Sequence, residues 1–171
     1  MIGASLKRKE DRRLVTGAGR YVDDHRVPGL VHLALVRSPH AHARVIRIDA
    51  AAALRLPGVL AILTVRDVPE LAASVPPLIR EPGWPAYVHP VMAGDRVRHV
   101  GEAVAVVVAD DPYRAVDGAE AVVVDYEPLP VAAEPVVPAP AIVHDGWRDN
   151  RAGRQEAGTG DVARGPRSAR R

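Results

Sequence analysis

The run Ala103-Val104-Ala105-Val106-Val107-Val108-Ala109 limits what this chain can fold into more than any other feature. Seven consecutive aliphatic residues carry no polar side chain, and valine dominates. A segment of that length and β-branched content is a strand, and both of its faces must be covered. Its borders agree. Gly101-Glu102 precedes it, and Asp110-Asp111-Pro112 follows as a helix start. An aspartate there caps free amides, and the missing proline N–H costs nothing in a first turn. The spacing predicts a helix through Tyr113 to Glu120, with Tyr113, Val116, Ala119 and Glu120 forming the stripe that meets a sheet. Residues 121–126 read as another strand, closed by Glu127-Pro128-Leu129-Pro130.

Upstream, Pro28-Gly29 is a turn, and a strand follows at 30–37. Leu33, Leu35 and Arg37 share one face, His32, Ala34 and Val36 the other. Ser38-Pro39 breaks the run, because proline removes a ladder donor and restrains the residue before it. A strand at 43–48 places Val45 on one face and Ile46 and Ile48 across the pleat. Asp49 caps a short alanine-rich helix over 50–54, and Pro57-Gly58 stops it. Residues 59–64 form a strand apolar on both faces and therefore internal. Prolines recur from Pro69 to Pro90, with Gly83, Trp84 and Tyr87 among them, as in a long irregular excursion of the functional or interfacial kind. Residues 96–100 restore order. The chain has no Phe and only 4% aromatic residues, so Val, Ala, Leu and Ile must fill the core. This order of elements suits an α+β class: a mixed sheet with short helices on one side.

Few residues offer chemistry. In extended backbone His40 and His42 point to one face, as paired metal ligands do. A catalytic zinc would need a third ligand from His25, His32, His89 or His99, or carboxylates from Asp23 and Asp24. The sequence favours the plainer alternative, histidines at a strand end bonded to backbone or water. Gly17-Ala18-Gly19 lacks the preceding strand, third glycine and following helix of a dinucleotide fingerprint, and reads as a turn. Glu102, at the mouth of the buried strand, could act as an acid or base. The favoured reading is a strand-entry residue paired with Arg96 or Arg98, or solvated. Asp125 and Glu127 face the same way, as surface carboxylates commonly do. No catalytic, cofactor-binding or metal-binding residue is therefore assigned.

The absence of cysteine excludes disulfides, thiolate metal sites and a Cys nucleophile, and fits a reducing cytoplasm. Residues 1–13 carry no apolar signal region, and no run is long enough to span a bilayer. The formal charge of +2 is unevenly spread. Six arginines after Asn150 face only Glu156 and Asp161, so the body is slightly acidic. That basic tail has no aromatic residue for base stacking, so no nucleic-acid partner is expected, and no membrane partner.

Several motifs in order carry a resemblance. They are Thr16-Gly17-Ala18-Gly19-Arg20-Tyr21-Val22-Asp23-Asp24, Pro28-Gly29-Leu30, and Val36-Arg37-Ser38-Pro39-His40-Ala41-His42-Ala43-Arg44-Val45. Ile48-Asp49, Pro57-Gly58-Val59, Val97-Arg98 and Gly101-Glu102-Ala103-Val104-Ala105 follow. Val124-Asp125-Tyr126-Glu127-Pro128-Leu129-Pro130, His144 and Asn150 complete the set. Over about residues 5–150 the chain resembles the xanthine dehydrogenase and aldehyde oxidase family. It is most similar to molybdopterin-binding large subunits of the carbon monoxide dehydrogenase type. Ala103 is a small departure, since many relatives carry proline there.

The resemblance implies an α/β hammerhead domain: an amino-terminal extension over 1–16, the hammerhead over 17–140, and a truncated linker with a basic, disordered tail over 141–171. It implies a molybdenum hydroxylase that oxidises an aldehyde, a purine or a related substrate with oxygen from water. A molybdenum–pterin cofactor belongs to the complete enzyme, and none to this chain. The implied partners are the catalytic molybdopterin-binding domains or chain, and iron–sulfur and flavin subunits. Pterin loops and the catalytic glutamate lie downstream in that family, and the histidines of 37–42 are not molybdenum ligands. After Gly158-Thr159-Gly160-Asp161 the expected apolar strand is missing, as in a truncated or split large subunit, inactive alone. The alternatives are a stand-alone assembly module paired with a separate catalytic chain, and a small histidine metalloprotein.

Overall fold

The computed structural model describes residues 3, 5, 8–76, 89–134 and 138–153. The middle of the proline-rich excursion and the basic tail lie outside these residues.

Ala103–Ala109 (β5) takes the centre of a three-stranded sheet. His32–Arg37 (β1) and Val59–Leu63 (β3) flank it, both antiparallel. A second three-stranded sheet has Ala43–Asp49 (β2) between Arg96–Val97 (β4) and Val123–Pro128 (β6), again antiparallel. The α+β class holds, but two small antiparallel sheets stand where one mixed sheet was expected. The cause is local. The Ser38-Pro39 break turns the chain so that β2 leaves the sheet of β1. The Ser38 hydroxyl secures the turn, taking the His40 amide at 3.0 Å.

Each strand claims its place by what it can bury. Val104, Ala105, Val107 and Ala109 of β5 are wholly enclosed, which fits the central position. β3 was expected inside and is an edge strand. A bulge at Leu60 turns that side chain outward and leaves Val59 and Ile62 against the core. β2 uses the same device. Its register slips at Ile46, so Val45 and Ile48 share the core-facing side and Ile46 is exposed. An extra residue on one strand switches the alternation of everything beyond it. The alanine-rich segment after Asp49 forms a 3-10 turn, Ala53–Arg55, and not an α-helix. Gly58 closes it with φ +83, a conformation that favours glycine.

Pro112–Glu120 (α2) starts where the sequence placed it. The Asp111 carboxylate accepts the Tyr113 amide at 2.8 Å and the Arg114 amide at 3.3 Å. Its buried face is different from the expected one. Ala115 and Gly118 meet the sheet with Ala119 of the expected stripe beside them, while Tyr113 is exposed and Val116 lies half exposed beside β1. Small residues win that position because β5 and β3 present bulky valines. A Cβ on Gly118 would stand 2.8 Å from Val107 Cγ1 and 3.0 Å from Val59 Cγ2. A short helix missed in the sequence, Asp11–Val15 (α1), precedes Gly17-Ala18-Gly19. Gly17, at φ +70, and Ala18 cap it by donating to Leu14 O at 3.2 Å and Arg13 O at 2.9 Å. The glycine motif is a helix cap, as its turn reading required.

On an exposed helix face, glycine to alanine stabilises by about 1 kcal/mol. At Gly118 the sign reverses: Gly118→Ala is expected to destabilise by about 1–3 kcal/mol through overpacking. Urea unfolding followed by circular dichroism checks this, and a gain in stability would mean that α2 does not sit this close.

Candidate functional site

Two features stand apart from the core: a polar junction and an apolar groove.

The junction forms where the 38–42 turn, the 98–102 turn, the end of β6 and residues 141–150 meet. Ser38 exchanges backbone hydrogen bonds with the Gly101-Glu102 pair across it. Ser38 N donates to Glu102 O at 2.9 Å, and Gly101 N donates to Ser38 O at 2.8 Å. Arg37 Nη1 adds a bond to Gly101 O at 2.8 Å. Glu102 is only 4% exposed. Its Oε2 accepts the Arg98 backbone amide and lies 3.5 Å from His99 Nδ1. It is thus neither solvated nor joined to a guanidinium. A backbone amide secures it, which sequence could not reveal because the partner is an amide and not a side chain.

His42 is buried, and its Nδ1 meets Pro130 O at 2.7 Å. His40 packs its ring on Tyr126, centroids 4.9 Å apart. Burial pushes the Tyr126 phenol above its ordinary range, with the Ser38 hydroxyl pulling the other way. The two histidines therefore follow the plainer reading, a strand end tied to backbone and neighbours. The residues that a zinc site would have needed beside them are engaged elsewhere. His89 and His99 stack at 5.3 Å, His25 ends the 3-10 turn Val22–Asp24, and Asp24 accepts the Tyr21 amide. Among the described residues no three His, Asp or Glu side chains could hold a metal ion together. Asp125 and Glu127 face Arg47 at 3.3 Å and Arg44 at 3.9 Å across the β6–β2 ladder. These are exposed cross-strand pairs of small energetic weight.

The groove runs along the outer edge of β1. It encloses about 600 Å³ between β1, α2 and β6, with Leu33, Leu35, Val116, Val122 and Val124 on its walls. Arg37 and Glu120 supply charge. β1 and β6 each end their sheet, so among the described residues both present backbone groups that no strand pairs. Leu33 is 65% exposed, Leu35 42% and Val116 51%, an unusual concentration of unburied apolar area beside two strand edges. Sequence placed Leu33 and Leu35 on one face of β1 but could not say that this face is open. A second cleft of about 490 Å³ lies between β2 and β3, floored by Val45, Ile48, Ile62 and Val104. No helix among the described residues is long and apolar enough to cross a membrane.

Residues 16–130 match the family model described as aldehyde oxidase and xanthine dehydrogenase, a/b hammerhead domain. The gamma subunit of the 6-hydroxypseudooxynicotine dehydrogenase complex of Paenarthrobacter nicotinovorans is 43% identical over 141 residues, covering 78% of this chain and 17% of that protein. The carbon monoxide dehydrogenase large chain of Afipia carboxidovorans is 44% identical over 134 residues, covering 78% of this chain and 16% of that protein. Among solved structures, quinoline 2-oxidoreductase from Pseudomonas putida superposes with a TM-score of 0.68 at 44% identity. The match covers 75% of this chain and 16% of that one. The chain thus spans about one sixth of the length of the relatives it matches.

Removing the buried carboxylate tests its structural role. Glu102→Ala strips the Arg98 amide of its acceptor and is expected to cost about 1–3 kcal/mol. Glu102→Gln keeps an oxygen in place and is expected to lose less. Thermal unfolding of both variants checks the order, and equal stability of Glu102→Ala and the parent would remove Glu102 from the junction. Zinc titration by calorimetry is expected to give no tight stoichiometric site, because among the described residues no three His, Asp or Glu side chains come together.

Proposed function

The chain belongs to the aldehyde oxidase and xanthine dehydrogenase family, and from that premise we propose that it is the structural and interface domain of a molybdenum hydroxylase large subunit. In this reading residues 17–140 form the hammerhead body, residues 1–16 an extension, and residues 141–171 the linker with its basic tail. The complete enzyme oxidises an aldehyde, a purine or a related substrate in the cytoplasm, with oxygen from water. A molybdenum–pterin centre would take the electrons from substrate, and iron–sulfur and flavin partners would pass them on.

The residues described do not fit that centre. They bring no ligand cluster together, the chain contains no cysteine, and the groove has largely aliphatic walls. No chemical step is therefore routed through this chain. Its contribution is to shape and hold the region that binds the cofactor.

The observation that carries the reading is the β1 groove. Apolar side chains and unpaired strand edges lie side by side on a domain whose relatives continue for several times its length. A catalytic region seated there would bury Leu33 and Leu35 and complete the edge of β1. Docking through the opposite side, the β2–β3 cleft, would leave the more apolar surface in water.

Protein purified from its own host is the material for the first test. The chain alone is expected to carry no molybdenum, no pterin, and no turnover of aldehydes or purines. Both metal and activity should appear only with the molybdopterin-binding region, whether fused or as a second polypeptide. Stoichiometric molybdenum on the isolated chain would overturn the reading. Leu33→Asp locates the interface. The side chain is exposed, so stability should stay within about 0.5 kcal/mol of the parent. Capture of the catalytic region should weaken about tenfold, equivalent to about 1.4 kcal/mol. Undiminished capture would place the interface elsewhere.

A further inference from the structure

Residues 141–150 fold back on the body, and their contacts are of two kinds. The first closes the segment on itself. Asn150 Oδ1 accepts the Val143 amide at 2.9 Å, and its Nδ2 donates to Ala141 O at 2.6 Å. Trp147 N donates to His144 O at 3.2 Å, and the two rings stack at 4.6 Å. Gly146, at φ +78, makes that tight turn. The second kind pins the closed segment to the body. Asp145 Oδ1 takes a hydrogen bond from Arg96 Nη1 at 2.8 Å. The Arg96 side chain is largely buried, while that of Asp145 is 75% exposed, so the anchor belongs to the body and the hook to the segment.

The hook holds a segment in which His144, its ring stacked on Trp147, is half-buried. Arg98 and Glu102 of the 98–102 turn and His42 of the 38–42 turn act on it from the body, and Asp145 acts on it from its own segment. Two carboxylates, a guanidinium and a second imidazole thus act electrostatically on one half-buried imidazole.

We infer that residues 141–150 are an acid-released clasp that fixes where the chain leaves the folded body, with His144 as the group on which acid acts. The inference stands whether or not the β1 groove is an interface, since none of the clasp residues named here lines that groove. Closed, the clasp holds the exit of the chain at β4. Open, it frees the segment from about residue 138 onward to leave in any direction.

The sign follows from the surroundings of His144. Burial first, and Arg98 next, hold its pKa below the ordinary value of 6.5, with Glu102 and Asp145 opposing them. A base with a lower pKa when docked binds fewer protons when docked. Docking is therefore favoured at neutral pH and loses that advantage as the pH falls below 6.5. The Arg96–Asp145 contact does not contribute in this window. Arg96 holds the Asp145 carboxyl below its ordinary 3.8, so that carboxylate stays charged until the solution is far more acidic.

Hydrogen exchange on the full 171-residue chain tests the clasp through the protection factors of the Val143 and Trp147 amides, with Val107 in β5 as the internal reference. From pH 7.5 to pH 5.5 the clasp amides are expected to lose protection while Val107 keeps its own. Asp145→Asn, a change at an exposed side chain that leaves the body intact, should lower clasp protection at both pH values. His144→Gln should remove the pH dependence. Equal clasp protection at the two pH values would overturn the inference. So would Asp145→Asn with parental protection, or His144→Gln with the pH dependence retained.

Discussion

Everything in this domain is arranged around a strand that tolerates water on neither face. β5 has no polar side chain to offer, so its two edges must be paired and its two sides covered. Pairing comes from β1 and β3, and one cover comes from α2, brought close by Ala115 and Gly118. The other cover is a smaller apolar group, Met92 with Leu63, Val65 and Leu71, gathered around Ala103 and Val106. A core without phenylalanine has few large side chains to span gaps. The elements must instead approach one another closely, and small residues at the contacts allow it.

The second organising interaction is polar. Where the chain crosses between sheets, its amides and carbonyls leave the ladders and need partners. The exchange between Ser38 and the Gly101-Glu102 pair supplies them, and the buried Glu102 carboxylate satisfies the Arg98 amide. The motifs that carry the family resemblance converge there: Arg37 to His42, Val97 to Glu102, the end of β6 with Pro130, and His144. In this chain the hydrogen bonds of Arg37, Ser38, His42 and Glu102 hold that crossing together.

The sequence disclosed the kind of each major element more readily than its setting. β5, the Asp111 cap and the Ser38-Pro39 break were legible because each depends on local chemistry. The places where expectation and structure part are those where the deciding partner is remote. The bulge at Ile46 reversed the predicted alternation of β2, and the one at Leu60 turned outward a side chain of a strand expected inside, because an inserted residue leaves no mark on composition or period. The helix face was misassigned because Tyr113 and Val116 look like core residues until the crowded valines opposite are known. Glu102 was recognised as unusual, but its partner was an amide, and amides are invisible in a pattern of side chains. His42 was legible as a strand-end residue because a strand end leaves carbonyls such as that of Pro130 within reach of an imidazole.

The scarcity of aromatic residues also decides what light can report about this molecule. Trp84 and Trp147 are its only tryptophans, and no aromatic ring except that of His42 lies among the buried residues described. Trp147 belongs to the 141–150 segment, where it rests on His144, and Trp84 to the proline-rich excursion. The emission of Trp147 thus reports the 141–150 segment, while the enclosed strands carry no tryptophan of their own. A change in Trp147 emission follows the 141–150 segment, while far-ultraviolet dichroism follows the melting of the sheets.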